Sequence, residues 1–201
     1  MSAASDVPDV SGPHLDLLLA SRLATLWAFA YGVYRLYYAL GGTFGKLGTP
    51  VSHDQWIRIN AIATVLLFAA AALPLVILRA WSNRRAQPFL LAIAWIIAVG
   101  CATHALIGIP QRMASLAGVL VIEYPFWVSI DRRMADVQAL FFNEPWFLGE
   151  GLLWVAIAWV GELRESAWRR WWIGSVIGAT VVLTVIGLLS AFGVIGRWVV
   201  G

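Results

Sequence analysis

The sequence has little charge and almost no cysteine. Only 12% of its 201 residues are Asp, Glu, Lys or Arg, whereas a soluble domain carries about 25%. Polar groups this scarce could not cover the surface of a domain in water, so the composition excludes a soluble globular protein. The single cysteine, Cys101, excludes a disulfide framework and a cysteine-based metal site.

The chain also lacks a concentrated basic surface. Its net charge is only +3, and its 14 Lys and Arg residues fall in short clusters between apolar runs, which argues against a nucleic-acid partner. His53, His104 and the carboxylates show no metal-binding spacing, so we expect no metal site and no cofactor. Residues 1–14 are polar and acidic without a basic start, and they predict a disordered tail rather than a signal peptide.

Long apolar runs dominate what remains. Apolar residues make up 61% of the chain and the mean hydropathy is +0.79. A helix needs about 20 mostly apolar residues to cross a bilayer, because only internal hydrogen bonding satisfies its backbone there. The sequence predicts an all-α integral membrane bundle, in one domain from residue 15 to 201. Its five spans are Leu18–Leu40, Ile57–Leu78, Pro88–Ile109, Pro145–Gly161 and Trp172–Ile195 (roughly).

The fourth span is the shortest, and its start has a plausible signal. Asn143 or Glu144 could cap the first turn, and Pro145 suits the first helical position. An earlier start, in the segment Val137 to Phe142, remains open. The preceding segment, residues 110–144, contains a stretch of about ten apolar residues, too short to cross. We expect an interfacial or re-entrant segment there, at the outer end of the bundle.

Two clusters of arginine indicate the orientation. One follows span two and includes Arg79 and Arg85, and the other follows span four and includes Arg164 and Arg170. Short loops rich in Lys and Arg stay on the cytoplasmic side. We therefore predict a multi-pass cell-membrane protein with its N-terminus in the cytoplasm and its C-terminus outside.

Three ionisable residues lie within the predicted spans, at similar depths below the outer boundary. They are Arg35, His104 and Glu150, and such residues normally face the bundle interior and mark functional sites. Because pairing of opposite charges lowers the cost of burying them, we expect Arg35 and Glu150 to form an ion pair. His104 would then titrate beside that pair.

Aromatic and amide side chains accompany Arg35. Tyr31, Tyr34 and Tyr38 share its helix face or border it, by three- and four-residue spacing, and Asn60 lies near the outer start of span two. One interpretation is a pocket that binds a polar headgroup or a small anion. The other is a buried ion pair that fixes how spans one and four pack.

Carboxylates near the outer boundary raise the alternative of catalysis. Glu150, Glu123 and Asp131 are the candidate catalytic residues, since a carboxyl group kept neutral by burial can donate a proton. Glu144 would lie at the same boundary. More often such residues are solvated or pair with nearby arginines.

Two short blocks resemble a known group of proteins. The segment Tyr34-Arg-Leu-Tyr-Tyr-Ala-Leu-Gly-Gly-Thr-Phe-Gly45 resembles the W-A-L-G-G type motif of small actinobacterial membrane proteins of unassigned function, with Tyr38 where the motif has Trp. The segment Asn143-Glu-Pro-Trp-Phe-Leu-Gly-Glu-Gly-Leu-Leu153 is similar to a second block of that group. The resemblance implies a membrane location and a multi-span architecture, and no catalytic residue.

The absence of an enzymatic motif favours a non-catalytic multi-pass protein. In that hypothesis its partners are the lipid bilayer, a lipid or small-molecule ligand, and another membrane protein. The alternative is a membrane-embedded enzyme acting on a lipid or isoprenoid by acid/base chemistry. A transporter is disfavoured, because spans two and five contain almost no ionisable residues to line a path.

Overall fold

A computed structural model describes residues 12–83, 85–161 and 167–196 of the chain. Five long α-helices make up most of it, with two short strands and one short helix near one end of the bundle. The elements are α1 (Gly12–Ala39), β1 (Gly48–Pro50), α2 (His53–Ala80), α3 (Gln87–Leu116), β2 (Trp127–Ile130), α4 (Arg132–Gln138), α5 (Glu144–Gly161) and α6 (Ala167–Ala191). The prediction of an all-α bundle is confirmed.

Four of these helices are long and apolar enough to cross a membrane, by length and composition: α1 from Asp16, α2, α3, and α6 from Arg170. Large apolar side chains such as Leu66, Ile96 and Ile177 are exposed on their outer faces. Contiguous apolar surface on this scale marks contact with lipid rather than water. The chain is therefore a multi-span membrane protein.

Several helix ends differ from the predicted spans. Residues 12–14, expected in the tail, belong to α1, whereas residues 1–11 lie outside the described part of the chain. Helix α3 continues through Pro110 to Leu116. Helix α6 ends at Ala191 rather than Ile195, because Gly193 adopts a positive φ of 74° that terminates the helix.

Helix α5 does not begin at a capped turn. A single π-helical turn, Ala139–Asn143, joins α4 to α5, so helical backbone runs without interruption from Arg132 to Gly161. The expected cap at Asn143 or Glu144 was wrong, because the side chain of Asp131 caps this run instead by accepting from the backbone N–H of Met134. The side chains of residues 132–144 are consequently positioned by helical backbone rather than by a loop.

The helices pack in the order α2, α1, α5, α3, α6 across the bundle. Small residues line the buried face of α1, where Ala20, Ala24 and Ala28 recur every four residues and allow close helix approach. Strand β1 pairs antiparallel with β2. We call the end of the bundle that carries this two-stranded ribbon the ribbon end.

Candidate functional site

Arg35 lies near the ribbon end of α1 and contacts two uncharged groups. Its guanidinium donates to the Asn60 side-chain oxygen at 3.3 Å and to the Tyr31 hydroxyl at 3.0 Å. It also lies over the Tyr31 ring, 5.2 Å from the centroid, where the negative ring face attracts a cation. Asn60 is held in turn by donating to the Trp56 carbonyl at 2.8 Å. The structure thus brings together three of the predicted binding residues.

The other two predicted tyrosines extend the same face. Tyr34 accepts a hydrogen bond from Gln138 at 3.1 Å, and its ring stacks on Tyr31. Tyr38 is buried and donates to the Phe44 carbonyl at 3.0 Å, which fixes the loop after α1. Because these partners come from three segments of the chain, the tyrosines connect α1 to α4 and to the loop.

A second cation is held on α3 by a buried carboxylate. Asp136, 3% exposed, accepts from Arg112 at 3.1 Å, from Ser115 at 2.5 Å and from Tyr124 at 2.7 Å. Burial and the hydrogen bond to Asp136 raise the pKa of the Tyr124 phenol to about 12, so that it stays protonated and donates. This network fastens the loop after α3 to α4.

A pocket of about 320 Å³ lies between these two groups at the ribbon end. Three cationic side chains line it, from α1, the loop after α1, and α3: Arg35, Lys46 and Arg112. Aromatic rings complete its wall, namely those of Tyr34, Tyr38, Trp56, Tyr124, Phe126 and Trp127. We call this feature the arginine pocket. Its combination of cations and rings suits an anionic group with an apolar attachment.

Donor groups beside the arginine pocket are not fully satisfied. The Nε atoms of Arg35 and Arg112 and the Nε1 atom of Trp56 are buried and have no hydrogen-bond acceptor in the described part of the chain. A buried donor without an acceptor costs about 1–3 kcal/mol. An acceptor that entered the pocket would reduce this cost once the side chains turned toward it.

His104 and Glu144 form a separate contact between α3 and α5. His104 Nε2 lies 3.6 Å from Glu144 Oε2, with the histidine side chain 48% exposed and the glutamate 5%. The Glu144 carboxyl fills the space beside Gly108, where any Cβ would collide with it. A close approach of the two helices at Gly108 therefore buries Glu144.

Arg35 and Glu150 do not form the expected ion pair. Helices α1 and α5 are antiparallel, with the Trp27 and Trp146 rings stacked at 4.3 Å. Arg35 follows Trp27 by eight residues toward the ribbon end, while Glu150 lies four residues beyond Trp146 in the other direction. At 1.5 Å per residue the two charges are roughly 18 Å apart along the bundle. Glu150 instead accepts from the Trp154 indole at 2.7 Å.

The candidate catalytic carboxylates are likewise dispersed. Asp131 caps α4, and Glu150 is buried beside Trp154, away from the ribbon end. Glu123 alone of the three lines the arginine pocket. The structure therefore does not bring these three residues into one constellation.

Sequence reasoning missed Asp136 and Gln138. Both stand in the segment before the predicted fourth span, and neither belongs to a recognised motif. A usable signal was present, since Asp136 lies between Ala135 and Val137, where an isolated carboxylate among apolar residues needs a partner. Arg112 falls in the segment 110–144, outside the predicted spans, because the third span was expected to end at Ile109, whereas α3 continues to Leu116.

No protein-family model matches the chain, and no curated protein or solved structure is similar to it. The resemblance of residues 34–45 and 143–153 to small actinobacterial membrane proteins accordingly stays a prediction.

Proposed function

We propose that this multi-pass membrane protein is non-catalytic and binds the anionic headgroup of a lipid in the arginine pocket. The observation that supports the proposal is the convergence of Arg35, Lys46 and Arg112 on one cavity. Side chains that carry like charge repel one another, so a cluster of three cations beside a single carboxylate, Glu123, is stabilised by a bound anion.

Arg35 is the residue best placed to carry the headgroup. Its hydrogen-bond partners among the described residues, Tyr31 and Asn60, are uncharged, so neither neutralises the guanidinium. Its planar fork of donors suits the paired oxygens of a phosphate or carboxylate. Arg112 contributes less net charge to the pocket, because Asp136 already pairs with it.

The position of the pocket favours a lipid over a soluble anion. It lies where α1 ends, α2 begins and α3 ends, among Tyr and Trp side chains of the kind enriched at the headgroup level of membranes. Basic pockets between membrane helices are a recurrent form of headgroup recognition. We place the site in the outer leaflet, because the arginine clusters after spans two and four favour a cytoplasmic location for the opposite end.

A membrane-embedded enzyme is the second candidate, and the observation that favours it is Glu123. This carboxylate lines the same pocket as the cations, where it could transfer a proton to a bound lipid. Glu123→Gln separates the two functions. If the protein only binds lipid, the variant retains its bound lipid and the lipid composition of the cell is unchanged. If the protein is an enzyme, the substitution stops the reaction and the lipid composition of the cell changes.

Lipids that co-purify with the protein test the proposal. We expect mass spectrometry to find anionic lipids enriched over zwitterionic ones in the extract of the wild-type protein, and this enrichment to be lost in Arg35→Met. Arg58→Met is the matched control, since Arg58 is exposed on α2 at the ribbon end of the bundle and does not line the arginine pocket. Equal enrichment in both variants, or none in the wild type, would refute headgroup binding at Arg35.

A further inference from the structure

An apolar groove follows the seam between α1 and α5. It has a volume of about 430 Å³. Four residues from each helix line it, and none of them is charged: Leu23, Leu26, Trp27, Ala30, Trp146, Gly149, Leu152 and Leu153. We call this feature the tryptophan groove. Its rim residues, including Leu26 and Leu152, are more than half exposed, so the groove opens sideways toward the surrounding hydrocarbon.

The groove is built by particular packing rather than by loose contact. The Trp27 indole donates to the Trp146 carbonyl at 3.0 Å while the two rings stack. Gly149 leaves room for Trp27, because a Cβ there would lie 2.8 Å from the indole ring. The floor of the groove is therefore a fixed aromatic surface.

The same seam leads from the groove to the arginine pocket. Tyr31 stacks on Trp146 at one side, with ring centroids 5.4 Å apart, and on Tyr34 at the other, at 5.7 Å. Tyr34 lines the arginine pocket, and Arg35 is its neighbour. An unbroken series of aromatic rings thus connects the apolar groove to the cationic pocket.

The distance along the seam matches one leaflet of a bilayer. From Leu23 at the far end of the groove to Arg35 in the pocket is twelve residues, or roughly 18 Å at 1.5 Å per residue. Half of a hydrocarbon core of about 30 Å is similar in length. A lipid whose headgroup contacts Arg35 would have its chain at the depth of the groove.

We propose that the tryptophan groove binds the hydrocarbon chain of the same anionic lipid whose headgroup occupies the arginine pocket. This inference rests on the proposed function and adds a chain-recognition site to it. Continuity with a cationic pocket specifies an anionic amphiphile as the occupant. A partner helix fits less well, because helix contacts in membranes use small residues at the rim, whereas Leu23, Leu26 and Leu152 are large.

Photocrosslinking locates the chain. The full-length protein is placed in phosphatidylcholine nanodiscs with a small proportion of hexadecyl phosphate that carries a diazirine at the end of its chain. After illumination, labelled residues are mapped by mass spectrometry, with and without an excess of unmodified hexadecyl phosphate. We expect competable labelling on Leu23, Leu26 or Leu152 in the wild-type protein, and its loss in Arg35→Met.

Filling the groove supplies the matched variant. Ala30→Trp places an indole in the groove at a position that does not itself line the arginine pocket. Because the displaced chain returns to bilayer hydrocarbon and only its packing contacts with the groove are lost, hexadecyl phosphate binding should weaken about threefold. Ala69→Trp is the control, since Ala69 is exposed on α2 outside the groove, and it should bind as the wild type does. Mapping on the wild-type protein needs no variant, so misfolding of Ala30→Trp would leave the test intact.

Two results would overturn the inference, and they are distinguishable. Competable labelling that depends on Arg35 but falls on α2 or α6 would reject the groove and leave headgroup binding in place. Labelling that is neither competed nor dependent on Arg35 would show annular lipid only, and would reject the proposed function together with the groove.

Discussion

Replacing Asp136 by asparagine should destabilise the protein more than any surface change. The aspartate accepts hydrogen bonds from Arg112, Ser115 and Tyr124 and is 3% exposed. Asparagine keeps the size but removes the charge, and it turns an amide donor toward three donors. Breaking a buried ion pair costs about 3–5 kcal/mol. We expect the lower end, about 3 kcal/mol, because the Arg112 side chain is 21% exposed and keeps some hydration.

Unfolding by increasing mole fractions of sodium dodecyl sulfate, followed by tryptophan fluorescence, measures the loss. Asp16→Asn is the matched control, since Asp16 is exposed on α1 and should change the stability by less than about 0.5 kcal/mol. Combining Asp136→Asn with Arg112→Met should lose less than the sum of the single changes, because the buried cation is removed too. If Asp136→Asn unfolds like the control, the network does not hold α4 against α3.

Three further predictions concern helix packing and topology. Gly108→Ala should be less stable than Gly100→Ala on the same helix by about 1 kcal/mol, because its new methyl group must displace the Glu144 carboxyl whereas the methyl group at position 100 meets open space; equal stability of the two variants would contradict the described packing. Arg35→Met and Glu150→Gln should have additive effects on stability, because the two side chains share no partner; a coupling energy above about 0.5 kcal/mol between them would instead support the ion pair. Ser82→Cys, in a chain whose native cysteine is replaced by alanine, should react with an impermeant maleimide only after lysis, and labelling in intact cells would reverse the orientation.

Hydropathy located the helices but not their relative heights. The apolar runs predicted α1, α2, α3 and α6 closely, because the cost of exposing backbone to lipid depends on composition over about 20 residues. Height within the bundle depends on where a helix begins. Helix α5 begins at Glu144, close to the predicted Pro145, but it continues a helical run from Arg132, which is earlier than the alternative start in the segment Val137 to Phe142.

Only part of the candidate site could be predicted, because the heights of the helices relative to one another were not known from the sequence. Tyr31, Arg35 and Asn60 were expected together and do meet, since four-residue spacing on α1 and proximity to one membrane boundary determine their positions. Glu150 was assigned to the wrong height and so to the wrong partner. Asp136 was missed although an isolated carboxylate among apolar residues was a usable signal, and only the fold shows that its partner is Arg112.

Native mass spectrometry of the protein released from nanodiscs of defined composition tests headgroup binding most directly. With equal proportions of phosphatidylglycerol and phosphatidylcholine, we predict that the wild-type protein retains one phosphatidylglycerol molecule per chain and that Arg35→Met retains none. Retention of both lipids in proportion to their abundance, or of phosphatidylglycerol by Arg35→Met at the wild-type level, would contradict an anionic headgroup site at Arg35.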